Sequence, residues 1–363
     1  MGLGKSILDA IGYESPNQGN ENVGDLMDAQ LNQNRITMIG TMGAGKSSHL
    51  AGLLIAADRK VSKTRDTDYP FRYYLREGSG NIEHDKSALR DGHFPPKTPA
   101  LRSSAIEQRI TFEWAHIKRL GTTEVPLSKR QSDMPICDLA GEDLCLLIEK
   151  VNQTRTLQQA SQLSAQRITS MIMQSSGLML IIKATRAHGL GIELEKEPTN
   201  IEGLSVYSDA NMKRMIDGVV RFKKQNPNSP PLRGVAIVVT AWDGLAPVAE
   251  QISTITGQKF DPLDVKISQE CLDKFLYACY PSTHAAISSL HLRNVRYFPS
   301  FFEVERDSNG EPICWDGGNS PKIKKPAIFD PQRSWDDNVN TILSSEFWFF
   351  KELDWLQEYA TLG

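Results

Sequence analysis

The run Gly40-Thr41-Met42-Gly43-Ala44-Gly45-Lys46-Ser47 constrains this chain more than any other feature. It fits G-x-x-x-x-G-K-[ST] at every fixed position, and its flanks suit it. Arg35 to Ile39 reads as a short buried strand, and Ser48 to Lys60 as a helix with Leu50, Leu53 and Leu54 on one side. A strand, a glycine-rich turn and a helix N-terminus in that order gather backbone N–H groups at the positive end of a helix dipole, aimed at a phosphate chain. Gly40, Gly43 and Gly45 let the backbone wrap the phosphates, with Met42, Ala44 and Ser48 contributing loop amides. Lys46 is expected to reach the terminal phosphates and the Ser47 hydroxyl to ligate Mg²⁺. A second G-K-S, in Gly2-Leu3-Gly4-Lys5-Ser6, lacks the preceding strand and the first glycine, and reads as coincidence. The same residues fit the N-myristoylation pattern M-G-x-x-x-[ST], which matters only in a eukaryotic host.

Composition narrows the classes around that motif. A chain of 363 residues can bury a large core in one elaborated domain or two small ones. Its net charge of −3 gives no electrostatic case for a nucleic-acid partner. No apolar run approaches a membrane span, and no secretory h-region opens the sequence. Five cysteines, odd in number and without C-x-x-C or zinc spacing, suggest reduced thiols in a cytoplasmic protein.

Two further signals stand downstream. Asp138-Leu139-Ala140-Gly141 follows the apolar run Met134 to Cys137. A strand ending in Asp-x-x-Gly sets a carboxylate beside a Mg²⁺ shell and a flexible glycine near the γ-phosphate. Thr240-Ala241-Trp242-Asp243 follows Val235 to Val239, the most strand-like run in the chain. A carboxylate there lies at the rim where α/β sheets bind ligands, and it can accept both the N1–H and the 2-amino hydrogens of guanine. The alternative for Asp243 is a helix-capping role.

In order and spacing these motifs resemble the P-loop GTPases of the translation-factor/Ras-like (TRAFAC) class, from Arg35 to about Ser300. The resemblance implies GTP/GDP and Mg²⁺ as ligands. It aligns Gly40 to Ser47 with the first GTPase motif, Asp138 to Gly141 with the third and Thr240 to Asp243 with the fourth. The fourth departs from Asn/Thr-Lys-x-Asp, because Ala241 replaces the lysine whose stem covers the base. The family also needs a switch threonine on Mg²⁺; Thr98, between prolines and ahead of the alternating run Ile110 to Trp114, is the candidate, against an ordinary proline-rich connection. Ser300, at the end of Val295 to Pro299, is the candidate base-loop residue. Glu142 stands where many members keep a water-orienting glutamine. No arginine is clearly placed as a finger in cis, so slow turnover is expected, with a protein partner or a second copy supplying the missing charge.

The expected fold is α/β, a doubly wound and mainly parallel sheet of about six strands of the P-loop NTPase/GTPase type with helical insertions. Residues 1–34 form an N-terminal extension and 35–363 one enlarged domain, with insertions at about 61–97, 186–230 and 245–294. Helices are expected within 142–175 and at Tyr207 to Lys224, and a central strand at Leu178 to Ile182. Asn309-Gly310 is a hairpin signal, and a last aromatic-rich helix starts at Ser334. That helix reads as packed on the sheet, with a partner-docking face as the alternative. The extension, the insertions and Pro321, Pro326 and Pro331 leading to Trp335 look like the bacterial double-GTPase branch, which implies a conflict or defence setting. Two rival functions stay open: a P-loop ATPase or kinase, which Ala241 permits, and a non-hydrolysing nucleotide-binding scaffold, which Glu142 permits.

Overall fold

The apolar runs decide the centre of the sheet. In the computed structural model, Ile36–Gly40 (β1), Gly177–Lys183 (β5) and Gly234–Thr240 (β6) are buried almost without interruption. Strands that are apolar on both faces belong in a parallel sheet covered on both sides. The structure describes residues 36–40, 43–66, 71–77, 82–95, 106–120, 123–138, 175–184, 209–225, 227–264, 267–309, 312–315, 320–324 and 344–361. The other strands are Phe71–Glu77 (β2), Ile106–Leu120 (β3), Thr123–Asp138 (β4) and Asn294–Ser300 (β7). They join one seven-stranded sheet in the order β2-β3-β4-β1-β5-β6-β7. From β4 to β7 every pairing is parallel, whereas β2, β3 and β4 pair antiparallel.

The sheet has one strand more than the sequence suggests, and a longer ribbon. The segment expected as an insertion at 61–97 contains β2, which extends the sheet edge, and the helix Ile82–Arg90. Strands β3 and β4 run 15 and 16 residues as an antiparallel pair, with Leu120 opposite Thr123 and a register shift at His116/Ile117. Apart from Val125 and Leu127 on either side of Pro126, the stretch Thr123 to Asp133 has no apolar alternation, so periodicity alone passes over it. Pairing with β3 makes it a strand.

The helices follow the expected alternation. They are Lys46–Asp66 (α1), Ile82–Arg90 (α2), Asp209–Gln225 (α3), Ala249–Thr256 (α4), Gln269–Cys279 (α5), Pro281–Ser288 (α6) and Ser344–Thr361 (α7). Leu50, Leu53 and Leu54 of α1 are buried as their spacing implies. The region 245–294 holds α4, α5 and α6; Ser268 caps α5, and Asp209 caps α6 by accepting from the N–H groups of Ser282 and Thr283. The segments 1–34, 142–174 and 334–343 lie outside the described residues.

Helix α7 spans the sheet from one strand end to the other. Near the C-terminal ends its Phe349 packs on α1, where a β-carbon on Gly52 would stand 2.6 Å from the Phe349 ring and 2.7 Å from that of Phe302. At the opposite ends Tyr359 lies over Gly177 and Gly234 and donates to the Ser176 hydroxyl at 2.8 Å. Trp348, Phe349, Phe350, Trp355 and Tyr359 are all buried. The helix is therefore packed on the domain, and these aromatics form no exposed docking face. Among the described residues no helix is long and apolar enough to cross a membrane.

Candidate functional site

Register brings the motif residues to one edge. Met38 pairs with Ile136, so Gly40 and Asp138, two residues on, end level. Gly40 pairs with Ile181, Lys183 with Thr240 and Thr240 with Ser300. The C-terminal ends of β4, β1, β5, β6 and β7 thus form one rim. The strand order reverses beside β1: the chain next moves out to β2 on one side and returns through β5 on the other. Such switch points are where open α/β sheets bind ligands.

The glycine-rich loop leaves β1 at this point. Gly43 and Gly45 have φ of 64° and 85°, a region that strongly favours glycine. Gly40 answers a different need, since a β-carbon there would lie 2.8 Å from the Ile181 side chain and 2.9 Å from its carbonyl oxygen. Ala44 is buried, while Lys46, Ser47 and Ser48 open α1 partly exposed. Lys46 folds back over the loop and donates to the Gly40 carbonyl at 3.0 Å. The first turn of α1 holds no acidic side chain, so no carboxylate of its own offsets the positive end of the dipole.

Thr240 and Asp243 divide the work of the downstream motif. The buried Thr240 hydroxyl donates towards the Ala44 carbonyl of the loop and lies 3.2 Å from the Ile182 carbonyl. It ties β6 and β5 to the loop, so at the rim this hydroxyl serves the scaffold. Ala241 then turns the chain with φ 51°, left-handed at a residue that pays about 1 kcal/mol for it. The turn delivers the 3-10 helix Trp242–Val248, anchored by Trp242, which is fully buried edge-on to Phe260 and Phe275. Asp243 projects from that anchor, partly buried. Burial pushes its carboxyl up from 3.8 to about 6; the Arg306 guanidinium and the N–H groups of Asp243 and Gly244 pull it down, while Glu303 pushes it up. A carboxyl perturbed by enclosure at a sheet rim marks a candidate binding group.

Ser300 stands at the rim end of β7, but its hydroxyl turns inward. It lies 2.8 Å from His49 Nδ1, and His49 Nε2 lies 3.0 Å from the Glu352 carboxylate of α7. A carboxylate only accepts, so Nε2 carries the proton and Nδ1 accepts from Ser300. Serine, histidine and glutamate are the components of a nucleophilic triad, yet here serine meets the ring nitrogen that a triad gives to its acid. All three groups are also buried, at 4%, 1% and 1% exposure, so no substrate reaches the hydroxyl. The cluster joins α1, β7 and α7. The motifs did not point to it; the one signal was a histidine on the apolar side of α1, between Ser48 and Leu50.

Asp138 is described as the last residue of β4. Met42, Thr98, Gly141 and Glu142 lie outside the described residues. Among the described residues no group of three or more His, Cys, Asp or Glu side chains forms a metal cluster.

No protein-family model matches the chain, and no curated protein matches it in sequence. Among solved structures it is similar to the GTPase-like domain of S. cerevisiae Ski7 bound to GTP, at 14% identity and a TM-score of 0.35, over 95% of this chain and 53% of that one. The same domain bound to GDP and inorganic phosphate gives 13% identity and a TM-score of 0.30, over 82% and 49%. The chain spans about half the length of those structures. At that distance the reading of the site rests on its own geometry.

Proposed function

We propose that this chain binds a guanine nucleotide with Mg²⁺ at the rim of its sheet and hydrolyses it slowly, as a nucleotide-dependent switch. One observation carries the reading: the loop with left-handed Gly43 and Gly45, the Lys46 ammonium and the enclosed Asp243 carboxyl share one rim, and Thr240 bonds the two halves together. Loop amides and Lys46 take the phosphates, and Asp243 takes the guanine edge. Ser47 and Thr98 would hold Mg²⁺ directly and Asp138 through water, a hard oxygen set of the kind this ion prefers. The ion, when bound, neutralises charge on the β- and γ-oxygens.

The Gly141 N–H senses the γ-phosphate, and Glu142 orients the attacking water. A partner protein or second copy supplies an arginine, a contribution worth roughly 10³–10⁵ in rate. The likeness in layout to the bacterial double-GTPase branch extends the proposal to a bacterial conflict or defence setting. Residues 90–100 and 139–150 are expected to exchange hydrogen more slowly with a non-hydrolysable GTP analogue than with GDP.

The direct test is Lys46→Ala. GTP and GDP affinity should fall by tenfold or more (about 1.4 kcal/mol per tenfold) with an unchanged thermal transition in the ligand-free chain. A variant that binds as the wild type does would overturn the phosphate assignment.

A further inference from the structure

Ala241 leaves a gap in the proposed base site, because its methyl group cannot cover a purine. The chain beyond β7 comes to the same place. Thr240 and Ser300 end β6 and β7 in register, so both strands leave the sheet at one level. Three residues past Thr240 stands Asp243; six past Ser300 stands Arg306. Arg306 is not on a loose tail. It pairs with Pro312 in an antiparallel bridge, flanked by the bridges Val304–Ile323 and Cys314–Pro321. The Ile313 N–H donates to the Glu305 carbonyl at 2.8 Å, the Glu305 N–H to the Lys322 carbonyl at 2.9 Å and the Lys324 N–H to the Glu303 carbonyl at 2.7 Å.

This small sheet is in turn fastened to the body of the domain. The Ile323 N–H and the Trp315 indole N–H both donate to the Gly92 carbonyl, at 2.9 and 3.2 Å, and Trp315 stacks on His93 at 4.1 Å. Arg306 is exposed, and its guanidinium is near enough to the Asp243 carboxyl to act on it electrostatically. Glu303, which also acts on Asp243, is paired with Lys324 at 3.4 Å.

We propose that Arg306 is the base-covering cation of this site, its guanidinium stacked on the face of the guanine whose edge Asp243 reads, in the role that Ala241 cannot fill. A planar, weakly hydrated guanidinium suits a π face better than an ammonium does. Arg306 is thus a specificity residue carried by a rigid element outside the motifs. The inference rests on the guanine-nucleotide reading above.

The test measures GDP and inorganic pyrophosphate binding to the full chain and its variants by calorimetry at pH 7.5 and 8.5. Arg306→Ala should weaken GDP by about tenfold, the order expected for a cation on an aromatic face, and leave pyrophosphate unchanged. Ala241→Lys added to that variant should restore GDP binding, because a lysine stem again covers the base. Arg306→Gln, which keeps the length of the side chain, should repeat the loss. The proposal is overturned if Arg306→Ala binds GDP like the wild type, or if it loses GDP and pyrophosphate together, which would mark a structural role. It is also overturned if the loss vanishes at pH 8.5, where Asp243 is ionised without help. Failure of the underlying reading shows elsewhere: the wild type itself would then bind pyrophosphate no more weakly than GDP.

Discussion

Asp243 carries opposite demands. Enclosure raises its carboxyl from 3.8 to about 6, so folding disfavours the charge that guanine recognition needs. In the ligand-free chain its contribution to stability is full below pH 3.8 and lost as pH rises through about 6. Asp243→Asn should therefore stabilise the ligand-free protein at pH 7, by up to about 3 kcal/mol. The advantage should shrink as pH falls through 6 and be gone below pH 4, as thermal melts at several pH values would show. Nucleotide binding runs the other way. GDP affinity of the wild type should fall as pH drops from 7 to 5, since a protonated carboxyl cannot accept two N–H groups. The same substitution should move base preference towards xanthine, whose 2-oxo group accepts from the new amide. The position of Asp243 was legible, because a carboxylate after an apolar parallel strand falls at the sheet rim. Its surroundings were not, because Glu303 and Arg306 come to it from later in the chain, as do Phe260 and Phe275 to its neighbour Trp242.

At the scale of elements, α1 and α7 act as a pair around the His49 cluster. Glu352→Ala would leave the His49 Nε2–H without an acceptor in the interior, a cost of about 1–3 kcal/mol. Glu352→Gln keeps an acceptor oxygen and should cost much less. Urea midpoints of the two variants separate a hydrogen-bond role from mere packing. Gly52→Ala should destabilise by about 1–3 kcal/mol, because two buried rings, Phe349 and Phe302, occupy the space the methyl group would enter. Helices and buried strands were readable wherever one face or both faces are apolar: α3, β5 and β6 lie close to expectation, and α1 starts close to it but runs on to Asp66, past the expected end at Lys60. Strand β2 and most of β4 were not. They are strands because β3 pairs with them, Phe71 opposite His116 and Glu77 opposite Ile110; the short alternation of Phe71, Tyr73 and Leu75 does not by itself name a partner strand that lies later in the chain. The expected start of the last helix, at Ser334, lies outside the described residues.

For the whole molecule, one sheet edge collects what the sequence scatters over more than 260 residues, from Gly40 to Arg306. The phosphate loop and the order of the downstream motifs could be read from local pattern. The links between them could not: the bond from Thr240 to Ala44, the inward turn of Ser300 to His49 and the return of the post-β7 segment to Gly92 are long-range contacts without a local signature. Because the account assigns the base edge to Asp243 and the phosphates to the loop, it commits to a nucleotide preference. The most direct test is a competition titration of the wild-type chain with GTP, GDP, ATP and XTP in the presence of Mg²⁺. GTP and GDP should bind at least tenfold more tightly than ATP and XTP, a difference of about 1.4 kcal/mol. Equal binding of ATP and GTP would remove the base-reading role of Asp243, and no binding of any triphosphate would contradict the account as a whole.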